Sequence, residues 1–166
     1  MVTFEDVKNN PEVQELIVGA QKQLDALGYT EHAHRHVSIV SNRAGKILET
    51  LGYDEHRIEL AKIAGYLHDI GNGVNRVDHA HSGAILAYTI LKDMGMDIKD
   101  RMEIMSAIGN HDEATGTAVS DISAALILAD KSDVHRDRVV NKNLTRFEIH
   151  DRVCLLYTSP SPRDIS

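Results

Sequence analysis

Six runs of apolar residues at helical spacing occupy the chain from Val13 to Asp130, and no segment shows sustained two-residue alternation. That pattern admits helices burying one stripe each and excludes a sheet. Asn10-Pro11 starts the first run as an N-cap followed by proline, and Val13, Leu16, Ile17, Ala20, Leu24 and Leu27 follow until Gly28. Thr30 caps the second, with Val37, Val40, Ala44, Ile47, Leu48 and Leu51 inward and Gly52 closing it. Asp54 starts a third through Leu60, Ala61, Ala64 and Leu67 to His68. Asp78 caps a fourth, with Ala80, Ala84, Ala87, Leu91 and Met94 inward, which ends at Gly95. A fifth, about Lys99 to Asn110, presents Ile104, Met105 and Ile108, and Ser120 opens a very apolar sixth over Ile122 to Asp130. Thr3 to Lys8 reads as a short turn, Gly71 to Val77 as a loop, and residues 133 to 150 as a highly charged helix. The fold class is all-α, a bundle of about six to seven helices.

Polar residues fall at the ends of stripes that should be buried. His36 lies four residues before Val40. Asp130 follows Leu126 by four, and His111 follows Ile108 by three. His79 precedes Gly83, Leu86 and Ile90 at helical spacing. In Ile63 to Gly73 an apolar helix ends in His68-Asp69, and two glycines then break it. Burying one such group without a partner costs a few kcal/mol, and a charge costs more. Singly, each reads more readily as a hydrogen-bonded core residue or a cap than as a metal ligand. Together they point to a shared cation, because neutral imidazole nitrogens and carboxylate oxygens are metal ligands, and one aspartate can bridge two ions.

Composition narrows the function class. A length of 166 residues suits one domain with a real core, and 42% hydrophobic residues is ordinary for a globular protein. The net charge of -7 argues against a general nucleic-acid binder, so no duplex partner is expected. Ten histidines point toward metal chemistry. No apolar run reaches the roughly 18 residues of a membrane span, and the polar start does not resemble a signal peptide, so a cytoplasmic protein is expected.

The only cysteine, Cys154, opens a segment unlike what precedes it, and Pro160 and Pro162 both fall there. Cys154 to Asp164 resembles the translation of the transposase mosaic-end and adapter used in sequencing libraries. The expected organisation is a domain over residues 1–153, cut at its C-terminus, followed by a non-native, disordered tail over 154–166.

His36-Val37-Ser38, then His68-Asp69-Ile70-Gly71, then Asp130 in Leu-Ala-Asp-Lys, resembles the HD superfamily of metal-dependent phosphohydrolases, with its H…HD…D signature. The likeness covers roughly residues 30 to 140. His79-Ala80-His81-Ser82-Gly83 and Ile108-Gly109-Asn110-His111-Asp112-Glu113 resemble further elements of dinuclear branches. That resemblance implies His36, His68, Asp69, His79, His111 and Asp130 as ligands, with Asp69 bridging. His81 competes with His79, which is preferred because it stands four residues before Gly83. Two divalent transition metals are implied, Fe or Mn first, with Zn, Co or Ni as alternatives. Asn72 replaces the lysine usual in HD-GYP proteins and Asp112 their second consecutive histidine, while no Gly-Tyr-Pro follows. Cyclic-dinucleotide hydrolysis is therefore not the expectation.

The implied chemistry is hydrolysis of a phosphoester or phosphoanhydride by a metal-bridging hydroxide, on a small phosphorylated substrate of nucleotide type. Asp69 and Lys131 are the candidate catalytic groups, and Asn72, Arg76, Lys131 and Arg136 the candidate substrate contacts. His81 and Asp112 are candidate acid or supporting groups; His32, His34, His56, His135 and His150 read as surface residues. The same ligand set occurs in mixed-valence di-iron HD oxygenases, and a non-catalytic nucleotide-sensing module is the third reading. Sequence leaves the oligomeric state open.

Overall fold

The computed structural model describes residues 1–29 and 33–133. Thr30, Arg136, the charged stretch beyond Asp133, the histidines His32, His135 and His150 expected at the surface, and the tail from Cys154 lie outside them. Among the described residues the chain runs through α1 Phe4–Lys8, α2 Pro11–Ala26, α3 Ala33–Thr50 and α4 Glu55–Leu67. A 3-10 turn, Ile70–Gly73, follows, then α5 His79–Asp93, α6 Ile98–Gly109 and α7 Asp121–Ser132. No strand occurs among them, and no helix among them is long and apolar enough to cross a membrane.

Local chemistry explains most boundaries. The Asn10 side chain accepts from the Glu12 and Val13 amides ahead of Pro11. Asp54 and Ser120 cap α4 and α7 in the same way. Gly28, Gly52 and Gly95 lie at positive φ just past the ends of α2, α3 and α5, where the chain must turn left-handed.

Four details differ from the sequence reading. Thr3 to Lys8 is not a turn but a one-turn helix, because Thr3 and Asp6 form a reciprocal capping box. The loop after Asp69 begins with the 3-10 turn, closed by hydrogen bonds such as Val74 N to Gly71 O at 2.9 Å. Asp78 stands at the start of α5 but makes no side-chain cap. Its own φ is +58°, and its carboxylate lies beside His81. Leu27 and Leu51 are 56% and 67% exposed, since each falls just past a helix end, where its stripe has run off the core.

α3 packs along α4 and α7, α5 along α6, and α2 lies on the 3-10 turn. The centre is filled by Leu48, Ile63, Leu67, Ile104, Ile108 and Leu126, all fully buried. The antiparallel register of α3 and α4 is what positions the site. Ser41 Oγ donates to Lys62 O at 2.9 Å, and a Cβ added to Gly65 would come within 2.8 Å of Ser41 Cα. With Gly65 against Ser41, the start of α3 and the end of α4 lie side by side. His36 is thereby brought to His68-Asp69.

Candidate metal centre

Six side chains from five helix ends meet below the surface. His36 comes from the first turns of α3, and His68 and Asp69 from the exit of α4. His79 opens α5, His111 follows the end of α6, and Asp130 sits in the last turn of α7. His36, His68, His79, His111 and Asp69 are buried, and Asp130 is half-buried.

The cluster has two halves with Asp69 between them. In the first, His36 Nε2 lies 3.2 Å from His68 Nε2, 3.1 Å from Asp130 Oδ1 and 3.5 Å from Asp69 Oδ2. His68 Nε2 is 3.4 Å from the same Asp69 oxygen and 3.6 Å from Asp130 Oδ1. In the second, His79 Nε2 lies 3.2 Å from His111 Nε2, and these two are 3.4 and 3.7 Å from Asp69 Oδ1. Each oxygen of one carboxylate thus faces a different pair of imidazoles.

The outer nitrogens decide what the inner ones can do. His68 Nδ1 donates to Gly65 O at 2.8 Å, His79 Nδ1 to Arg76 O at 3.1 Å, and His111 Nδ1 to Ile108 O at 2.6 Å. A carbonyl only accepts, so each Nδ1 carries the proton, and in its neutral form each ring turns a bare Nε2 lone pair inward. His36 Nδ1 does the same toward Asp133 Oδ2 at 2.8 Å. Two bare nitrogens 3.2 Å apart beside an anionic oxygen cannot bond each other. A cation between them satisfies all the lone pairs at once, and imidazole with carboxylate suits divalent transition metals. The residues fit that group, and His36, His68 and Asp130, or His68, Asp69 and His111, are close enough to hold an ion.

Electrostatics agree with ionised carboxylates. Burial alone would raise Asp69, but the facing imidazoles of His68, His111, His36 and His79 hold it well below the usual range. Partial burial would likewise raise Asp130, but the imidazoles of His36 and His68 facing it keep it well down. Burial lowers His79, which favours the neutral ring. For His111 burial pulls down, but the Asp69 carboxylate beside it prevails and raises it.

The remaining candidates are placed more diversely. Asn72 is buried, and its Nδ2 donates to Asp69 O at 3.0 Å, bracing the turn below the carboxylate. Its Oδ1 accepts from Arg76 Nη1 at 3.2 Å, and the Arg76 guanidinium also lies 5.7 Å from the Tyr29 ring centroid. Lys131 is exposed and paired with Glu113 at 2.9 Å. His81 points outward at Asp78, and Asp112 is half-buried with Oδ2 3.9 Å from His79 Nδ1. Of the surface histidines, His34 is exposed, while His56 is half-buried on Asp100 at 2.9 Å. Sequence reasoning missed Asp133. Its signal was its place three residues after Asp130, on the same helical face, hidden by the charged run that follows.

The HD domain family matches residues 34–142, about two thirds of the chain, and spans every residue of the cluster. The chain belongs to the HD-domain family. This HD domain is 32% identical, over 134 residues, to an uncharacterized protein of Methanocaldococcus jannaschii. That match covers 68% of the chain but 51% of the relative, so the chain spans about half the length of that protein. Among solved structures it is similar to a predicted HD superfamily hydrolase from an uncultured Thermotogales bacterium. The two share 30% identity with a TM-score of 0.55, over 76% of this chain and 71% of the other.

Proposed function

We propose that this HD domain is a metal-dependent hydrolase that cleaves a phosphoester or phosphoanhydride in a small phosphorylated substrate of nucleotide type. The observation that carries the reading is the pair of facing imidazole couples with one carboxylate oxygen aimed at each. His36, His68, Asp130 and Asp69 Oδ2 would hold one cation, and His79, His111 and Asp69 Oδ1 a second. Four imidazoles favour Fe or Mn, with Zn, Co or Ni as alternatives, over magnesium, which prefers oxygen. Metals bound there supply Lewis acidity, which eases loss of a proton from water and polarises a phosphoryl oxygen.

The chain's own groups do the positioning. Asp69 keeps the two positions in register, because Asn72 holds its main chain and four imidazoles converge on its side chain. Lys131 adjoins Asp130 and supplies positive charge for phosphoryl oxygens once it exchanges Glu113 for substrate. Arg76, held at Asn72 beside the centre, is the second cationic group within the described residues that this reading uses for phosphate. Arg136 remains a candidate contact from outside them.

Elemental analysis of the purified protein, followed by a nucleotide and phosphomonoester panel, tests the proposal. The expected result is about two transition-metal ions per chain and phosphate release that stops on chelation. A metal-loaded sample that is inert on the panel but consumes O₂ when reduced would replace hydrolysis with the oxygenase reading. One that binds nucleotides and turns over none would make it a sensor.

A further inference from the structure

Asp130 and Asp133, three residues apart at the end of α7, close on one imidazole from opposite sides. Asp130 Oδ1 lies 3.1 Å from His36 Nε2, and Asp133 Oδ2 lies 2.8 Å from His36 Nδ1. Asp133 is only 4% exposed. Its other oxygen lies 3.8 Å from Arg43 Nη1, and that guanidinium also donates to Ser132 Oγ at 3.0 Å, tying the end of α7 to α3. The remaining three rings of the centre rest their Nδ1 on main-chain carbonyls. Within the described residues His36 alone among the four has a carboxylate at hydrogen-bonding distance from Nδ1; the Asp112 carboxylate stands back at 3.9 Å from His79 Nδ1. A carboxylate accepts a shorter and stronger hydrogen bond than a neutral carbonyl, and the ring it supports becomes a better electron donor at its far nitrogen.

Among the described residues the two halves also differ in donor number. His36, His68, Asp130 and Asp69 Oδ2 line the first, whereas His79, His111 and Asp69 Oδ1 line the second. We infer that Asp133 is a positioning residue for metal binding: it locks His36 in the Nδ1–H form and strengthens Nε2, making the first position the tighter of the two. This rests on the two-cation reading and goes beyond it by ranking the sites and naming the residue that sets the rank. The second position, with fewer protein donors, is then the one that exchanges readily and leaves room for substrate oxygens.

The test uses apoprotein of the full chain reconstituted with Co²⁺ alone, equilibrated against graded chelator and assayed for bound metal. Wild type is expected to release cobalt in two steps. Asp133→Ala should weaken the tighter step by about 10- to 100-fold and leave the weaker step in place. Asp133→Asn keeps an acceptor oxygen without the charge and should give a smaller shift of that step. His79→Ala should remove the weaker step and spare the tighter one. Thermal unfolding of the metal-free variants separates this from a purely structural role, which would lower the midpoint and shift both steps together, overturning the inference. It is overturned equally by wild-type retention of both steps in Asp133→Asn, which carries the test if Asp133→Ala does not fold. Failure of the hydrolytic reading looks different: the cobalt steps behave as expected while the metal-loaded protein releases no phosphate.

Discussion

Gly71 sits so close to His79 that a Cβ at position 71 would overlap the His79 carbonyl oxygen, with Gly83 N and Ser82 Oγ also within 2.8 Å. The 3-10 turn after Asp69 is therefore packed directly on the first turn of α5. Only a residue without a side chain permits that approach. Asp69, the proposed bridge, and His79, the proposed first ligand of the second half, are held together by this contact. Gly71→Ala should cost about 1–3 kcal/mol as an overpacked site and push the start of α5 away from Asp69. Bound metal should then fall from two ions toward one. Denaturant unfolding and elemental analysis on the same sample check it, and unchanged stability with full metal loading would show that the contact does not position His79.

Much of this centre was legible because its residues break a pattern. His36, His79, His111 and Asp130 interrupt apolar stripes, and His68-Asp69 ends one, so periodicity alone marks them as polar groups on buried faces. Helix caps such as Asn10, Asp54 and Ser120 were equally visible, since short polar side chains ahead of apolar runs have one common use. What sequence spacing omits is the partner. Nothing in the order of residues says that Lys131 meets Glu113, that Asp133 supports a ring on α3, or that Asp78 turns left-handed instead of capping. Those depend on which helices become neighbours. In the case of α3 and α4 that register is fixed by a close approach between Gly65 and Ser41, which periodicity does not encode.

Asp69→Asn keeps the shape of the bridge and removes its charge. Imidazoles on both sides hold that carboxyl well below its usual range, so the wild-type group is anionic wherever the protein is folded near neutrality. The variant should lose full metal loading, and hydrolysis should fall to background. Metal content by elemental analysis and phosphate release on the panel substrate read both effects. Retention of wild-type turnover would count decisively against a centre bridged by this residue.

Away from the site, Arg57 of α4 joins the start of α7 to α6. Its Nε donates to Asp121 Oδ2 at 3.1 Å, its Nη2 to Asp121 Oδ1, and its Nη1 to Glu103 at 2.6 Å. Burial would raise Asp121, but the Arg57 hydrogen bonds prevail and lower it below its ordinary 3.8. In the acid range the unfolded chain therefore binds more protons than the folded one, and stability rises with pH there. The contribution is complete above the ordinary value and is lost as pH falls through the depressed folded value. Asp121→Asn should cost about 1 kcal/mol near neutrality, given that both partners are partly exposed. The difference from wild type should hold above roughly pH 5 and vanish in stronger acid. Urea titrations of both proteins across that range supply the measurement; a gap that persists at the acid end would assign the loss to packing.

Ser123 makes the opposite case, a polar group whose removal should help. It lies fully buried in α7, and its hydroxyl has no hydrogen-bond partner among the described residues, although its amide is satisfied by the Ser120 cap at 3.1 Å. An unpaired buried hydroxyl carries a desolvation cost of about 1–3 kcal/mol, and alanine is also the better helix former. Loss of one oxygen opens too little space to offset both terms. Ser123→Ala should thus leave stability unchanged or raise it by about 1 kcal/mol, with metal loading intact because the residue lies two turns from Asp130. Thermal and denaturant unfolding decide the sign. A clear destabilisation would mean that the hydroxyl is satisfied in solution, and a buried water bonded to it is then the first thing to look for in a high-resolution crystal structure.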